Sequence, residues 1–95
     1  MSELSANLPA TGPLERIVAL VERILERKPG AAPLDTRARL NELGMSSMKM
    51  ISLMLAIEAE FDLSIPQTQI TPENFDSIAS VETLVVRLLG SAPGV

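Results

Sequence analysis

Ninety-five residues suffice for one domain with a thin core. The chain contains neither Cys nor His, which excludes disulfides, thiolate metal sites, a cysteine nucleophile and the usual Ser-His-Asp base. Its net charge is −4 and its only aromatic residues are Phe61 and Phe75, so it lacks both the basic surface and the stacking platform of a nucleic-acid binder.

Hydrophobic residues make up 46% of the chain and charged residues 21%, ordinary values for a folded globular protein. Residues 1–11 are small and polar and read as a flexible lead. Gly12-Pro13 then opens a helix, because proline is tolerated where the backbone N–H has no helical partner. Leu14, Ile17, Val18, Val21, Ile24 and Leu25 recur at three- and four-residue spacing along one face of it. Lys28 is expected in its last turn, with Pro29-Gly30 as the stop. A loop of about fifteen residues follows to Gly44, long enough to require pins. Leu34, Leu40 and Leu43 are the apolar candidates, and a short turn is expected around Arg37–Leu40.

Ser46 and Ser47 precede a second helix, Met48–Phe61, which Asp62 and Ile65-Pro66 end. Thr71-Pro72-Glu73 has the form of an N-cap, a first-turn proline and an early acid, and predicts a short third helix to about Ile78. Ser80 is expected to cap the last helix, which buries Val81, Leu84, Val85 and Leu88 and stops at Gly90. The tail 91–95 reads as flexible, leaving residues 12–90 as the folded unit. No run alternates with period two, so the fold class is all-α, with four helices, the third of them short.

The apolar run Leu53–Ile57, which no other exceeds in length, falls far below the roughly 20 residues of a membrane helix. Residues 1–10 also lack the basic start and apolar core of a secretory signal. A cytoplasmic monomer with no membrane and no nucleic-acid partner is the expectation.

Helical positions advance by about 100° per residue. Met50, Leu53, Met54, Ile57 and Phe61 therefore share an arc of about 100°, the ordinary core face of a packed helix. Met48, Ile51 and Leu55 form another apolar stripe about 140° away. A helix buried on nearly all sides would account for this second stripe. So would an exposed docking surface, for which Met is suited because it repacks against different partners. Charge is unevenly spread as well. Residues 1–39 hold five acids and six bases, whereas residues 40–95 hold seven acids and two bases. A basic partner surface would be steered to the acidic half, although a solvated acidic face explains the asymmetry equally well.

A serine pair at a helix entrance is by itself most often a cap. Its surroundings say more. Leu40-x-x-Leu43-Gly44-x-x-Ser47-Met48, then Leu53–Ile57 followed by Glu58-x-Glu60-Phe61 and Ile65-Pro66, resembles the acyl and peptidyl carrier proteins. That family shows Leu-Gly-x-Asp-Ser-Leu, a helix closing in Glu-x-Glu-Phe, and an Ile-Pro turn. The likeness runs from about Leu14 to Leu89. It implies a four-helix acyl-carrier-like bundle with a long loop between its first two helices, and a serine that receives 4′-phosphopantetheine from coenzyme A. Matched residue by residue, that serine is Ser47, while Met48, Ile51 and Leu55 fall where family members dock partner enzymes.

The implied partners are a phosphopantetheinyl transferase, an acyl- or aminoacyl-loading ligase, and downstream transferases. The implied role is to hold an acyl or aminoacyl group as a thioester on the arm. Such a carrier needs no base, metal or thiol of its own, and its phosphodiester charge would lie at the positive end of the second helix. Ser46 stands where the family usually has Asp, and Lys49, Ser52 and Ala59 stand at often-acidic positions. The pattern thus resembles a stand-alone carrier with dedicated partners more than a typical fatty-acid-synthesis carrier.

The cargo is left open, whether fatty, aromatic or aminoacyl. An unmodified helical adaptor that docks through Met48, Ile51 and Leu55 is the alternative. No catalytic residue and no metal ligand is expected, and the i, i+4 pair Glu58 and Asp62 reads as surface.

Overall fold

The computed structural model describes residues 12–90. The lead 1–11 and the tail 91–95 lie outside them. Helix α1, Pro13–Ile24, begins as the sequence indicates: Pro13 occupies the first turn, and the Gly12 N–H donates to Glu15 Oε1 at 3.0 Å. It ends four residues before Lys28. Glu26 turns left-handed with φ 58°. The Glu26 N–H donates to the Arg23 carbonyl at 3.1 Å and the Arg27 N–H to the Glu22 carbonyl at 3.0 Å. These two bonds close a Schellman motif, so the helix stops before the Pro29-Gly30 signal is reached.

A left-handed conformation costs a non-glycine residue about 1–2 kcal/mol. Glu26→Gly is therefore expected to stabilise the fold by about 0.5–1 kcal/mol, with the gain reduced by the wider freedom of glycine in the unfolded chain. The midpoint of urea unfolding checks this. A lower midpoint would mean that the Glu26 side chain itself stabilises the turn.

Helix α2, Ser47–Phe61, and helix α3, Ile78–Gly90, both pack on α1. α1 contributes Ile17, Leu20 and Val21 to the core, α2 contributes Leu53, Ile57 and Phe61, and α3 contributes Ile78, Val81, Leu84 and Val85. Arg16 fixes the start of α1 beside the end of α2. Its Nε donates to Glu60 Oε2 and its Nη2 to the Glu60 carbonyl, both at 2.8 Å, while its guanidinium carbon lies 4.4 Å from the Phe61 ring centroid. One side chain thus satisfies a last-turn carbonyl of α2 and covers an aromatic face. Asp62, left-handed at φ 53°, ends α2.

The expected four helices are not all present among the described residues. Among the described residues there are three α-helices, two short 3₁₀ turns (Leu40–Leu43 and Gln67–Gln69) and no strand. The expected third helix is a single turn. Thr71 Oγ1 accepts from the Asn74 N–H at 3.2 Å, as an N-cap should, and the Phe75 N–H donates to the Thr71 carbonyl at 3.2 Å. The chain then leaves helical geometry because its next backbone groups are committed elsewhere. The Asp76 carbonyl accepts from the Leu40 N–H at 2.8 Å, and Ser77 forms an isolated antiparallel bridge with Arg39. The cap of α3 is accordingly Ser77 in place of Ser80. Its buried Oγ accepts from the Ser80 N–H at 3.1 Å.

The same contacts pin the long loop. Besides the Leu40–Asp76 bond, the Ala79 N–H donates to the Thr36 carbonyl at 2.9 Å, tying the loop to the start of α3. The Arg39–Asp76 ion pair at 3.8 Å is exposed on both sides and adds little. Leu34 and Leu40 are buried, and Leu43 packs half-buried against them.

Candidate functional site: a serine at the entrance of α2

The loop delivers the chain to α2 through one tight reversal. After the Leu40–Leu43 turn, Gly44 adopts φ 101° and its N–H donates to the Asn41 carbonyl at 3.2 Å. A side chain is strained in that conformation, which accounts for glycine at this place. Met45, buried, donates its N–H to the Leu40 carbonyl at 3.0 Å. Leu40 and Met45 therefore anchor the backbone immediately before the serine pair.

The two serines differ in what they do. Ser46 is the cap: its backbone is extended and its Oγ accepts from the Lys49 N–H at 3.2 Å. Ser47 is the first helical residue and is exposed. Among the described residues, no side-chain hydrogen bond engages its hydroxyl. Both serines are exposed, but only the Ser46 hydroxyl is engaged by the backbone, so that of Ser47 is the one left without a partner among the described residues. No acid lies in the first turn of α2, where Lys49 is the only charge. The first-turn N–H groups and the positive end of the helix make this entrance compatible with a phosphodiester on Ser47.

Met48 is 77% exposed, Ile51 56% and Leu55 62%. A helix buried on all sides is therefore not what the fold contains, and this stripe lies on the same helix as Ser47, directly after it. The core stripe divides differently from expectation. Leu53, Ile57 and Phe61 are buried, whereas Met50 and Met54 are half-buried. With Asn41, Met45, Ser46, Ser47 and Ile51, these two methionines line a groove of about 340 Å³ beside the serine. Helical spacing alone predicts Met50 and Met54 in the core. Only the position of the Leu40–Met45 segment reveals that one edge of that stripe is left uncovered. The carboxylates Glu58 and Asp62 do not form a catalytic pair: Glu58 Oε2 accepts from the Ile65 N–H at 2.8 Å, and Asp62 serves as the helix terminus.

A family model described as the phosphopantetheine attachment site matches residues 15–85. Aminoacyl carrier protein 1 of Bradyrhizobium diazoefficiens is 48% identical over 77 residues, which cover 81% of this chain and 86% of that protein. Aminoacyl carrier protein 2 of the same organism is 43% identical over 79 residues, 83% of this chain and 89% of that protein. Among solved structures, the chain is similar to one in the crystal structure of Bradyrhizobium japonicum glycine:[carrier protein] ligase complexed with glycylated carrier protein. The identity is 46% and the TM-score 0.64, over 77% of this chain and 99% of that one. A chain in the complex of that ligase with its cognate carrier protein and an analogue of glycyl adenylate gives 46% identity and a TM-score of 0.66, over 80% and 99%. The match across most of the helical unit, together with an open serine at the start of α2, makes the chain a member of the phosphopantetheine-bearing carrier protein family, which presents cargo to enzymes and does not itself catalyse.

Proposed function

We propose that Ser47 is the attachment residue and that the cargo is an aminoacyl group. The observation that carries the first part is the division of labour at the entrance of α2, where Ser46 caps and the exposed Ser47 hydroxyl has no hydrogen bond among the described residues. In the attachment step the Ser47 oxygen bonds to the pantetheine-side phosphorus of coenzyme A. The pyrophosphate P–O bond breaks, 3′,5′-ADP leaves with the electron pair, and the serine proton passes to a base on the transferase. The arm supplies a terminal thiol, on which cargo is held as a thioester. The aminoacyl part is supported by the two carrier relatives and by the glycylated carrier protein in the related complex. Met48, Ile51 and Leu55 are proposed as the surface on which the loading ligase and the downstream enzymes dock. The unmodified adaptor reading has no separate observation in its favour.

Intact mass after incubation with coenzyme A and a broad-specificity phosphopantetheinyl transferase tests the attachment. One arm per chain is expected. Adding glycine, ATP and the glycine:[carrier protein] ligase should then add one glycyl mass. No gain of the arm with several transferases would favour the adaptor. Gain of the arm without glycine would leave the attachment standing and return the cargo to the acyl or other aminoacyl classes. Ile51→Ala should leave the melting temperature within a few degrees of the parent, as expected of an exposed residue, and raise the KM of loading about tenfold. A large loss of stability with unaltered loading would assign Ile51 to packing.

A further inference from the structure

The stripe and the groove on α2 form one continuous surface, because Ile51 belongs to both. Three of the groove-lining side chains are methionines, Met45, Met50 and Met54, which adjust to the shape of an inserted group. Polar groups are few. They are Ser46, whose Oγ accepts the capping bond, the Ser47 hydroxyl at the rim where the arm is proposed to attach, and Asn41, the one side-chain amide along the groove. A pantetheine arm folding back there would bring two amides and a hydroxyl to meet it, whereas an apolar side chain would leave no polar group unpaired. Charge is scarce on this part of the molecule as well. Between Ser46 and Ile57 the only charged residue is Lys49. The acids of α2 lie at its far end and have intramolecular partners: Glu58 with the Ile65 N–H and Glu60 with Arg16.

From this we infer that the loading ligase docks by inserting an uncharged apolar side chain into the Met45–Met50–Met54 groove, and that its affinity depends little on ionic strength. The inference rests on the carrier reading above. It differs from the expectation drawn from the acidic half of the sequence, which pointed to steering by a basic partner surface. Of the acids responsible for that balance, none belongs to the groove lining, and exposed Glu42, next to Asn41 in the turn before α2, is the one adjacent to it in sequence.

The test uses the full chain in its unmodified form, labelled with carbon-13 at the methionine methyls, and the glycine:[carrier protein] ligase as probe. Kd is measured from about 0.01 to 1 M NaCl, across which the Debye length falls from about 30 to 3 Å. The expected result is a Kd that changes less than about threefold, where electrostatically steered association would change tenfold or more. Ligase should also shift the methyl signals of Met50 and Met54. Met54→Gln, which keeps the length of the side chain, should weaken binding at least about fivefold.

A Kd that weakens tenfold or more with salt overturns the inference, as does absence of binding by the unmodified chain. Methyl shifts that follow attachment of the arm but not addition of ligase would make the groove the bed of the arm, also overturning it. Should Met54→Gln fail to fold, the methyl shifts of the parent chain still decide. Because the unmodified chain is used, failure of the arm to attach at Ser47 is a separate result, read by mass alone.

Discussion

Ser47→Ala is expected to abolish addition of the phosphopantetheine mass while leaving the melting temperature almost unchanged. Ser46→Ala should do the opposite. The contrast follows from the geometry at the entrance of α2. Ser46 Oγ accepts from the Lys49 N–H, satisfying one of the backbone donors that have no partner within the helix. Removing such a cap costs about 0.5–2 kcal/mol. In a chain this short, 1 kcal/mol moves the melting temperature by roughly 4–8 °C, so the loss is easily read. Ser47 makes no such bond, and alanine at the first helical position is a good helix former. Its stability should stay within about 0.5 kcal/mol of the parent. Intact mass and thermal unfolding of both variants check the pair. A Ser47→Ala protein that still gained the arm would remove the assignment. A Ser46→Ala protein of unchanged stability would mean that the capping bond contributes nothing.

The second large effect concerns the loop. Leu40 is 1% exposed, and its backbone N–H is committed to Asp76. Leu40→Ala should cost about 2–5 kcal/mol through lost burial and the cavity left behind. That is a large share of the roughly 5–15 kcal/mol that holds a domain together. The functional consequence should exceed the thermodynamic one, because Leu40 also holds the backbone leading through Gly44 to the serine pair. Attachment of the arm should slow even under conditions in which the variant is fully folded by circular dichroism. Exposed Glu42, two residues along the same turn, is the control, and Glu42→Ala should change neither quantity measurably. Equal rates of attachment in folded Leu40→Ala and parent would show that the loop anchor serves stability alone.

The stretch around Ser47 was legible in the sequence because several local signals coincide there. Gly44 closes the long loop, the serine pair marks a helix start, and the spacing of Met48, Ile51 and Leu55 marks an apolar stripe separate from the core face. Each depends only on nearby residues. The errors lie where distant backbone segments meet. The sequence predicts Lys28 within α1 because nothing local shows that Glu26 turns left-handed; the glycine that usually marks such an end is absent. Thr71-Pro72-Glu73 made its cap, yet no helix followed, since Asp76 and Ser77 gave their backbone groups to residues 39 and 40. That pairing also moved the start of α3 forward to Ile78 and the cap from Ser80 to Ser77. Likewise, helical periodicity gives the direction in which Met50 and Met54 point but not how far the facing segment covers them.

The two backbone bonds between the long loop and the start of α3 bear on how the protein is made. Thr36 and Ala79 are joined across a span of roughly forty residues, as are Leu40 and Asp76, so the closure that holds the loop is non-local and among the slower steps of folding. On the ribosome, a nascent chain that has released Ser47 but not residue 79 has no partner for those loop groups. If Ser47 is the attachment residue, as proposed, a transferase would meet it in its final setting only after synthesis of α3 has completed the anchor.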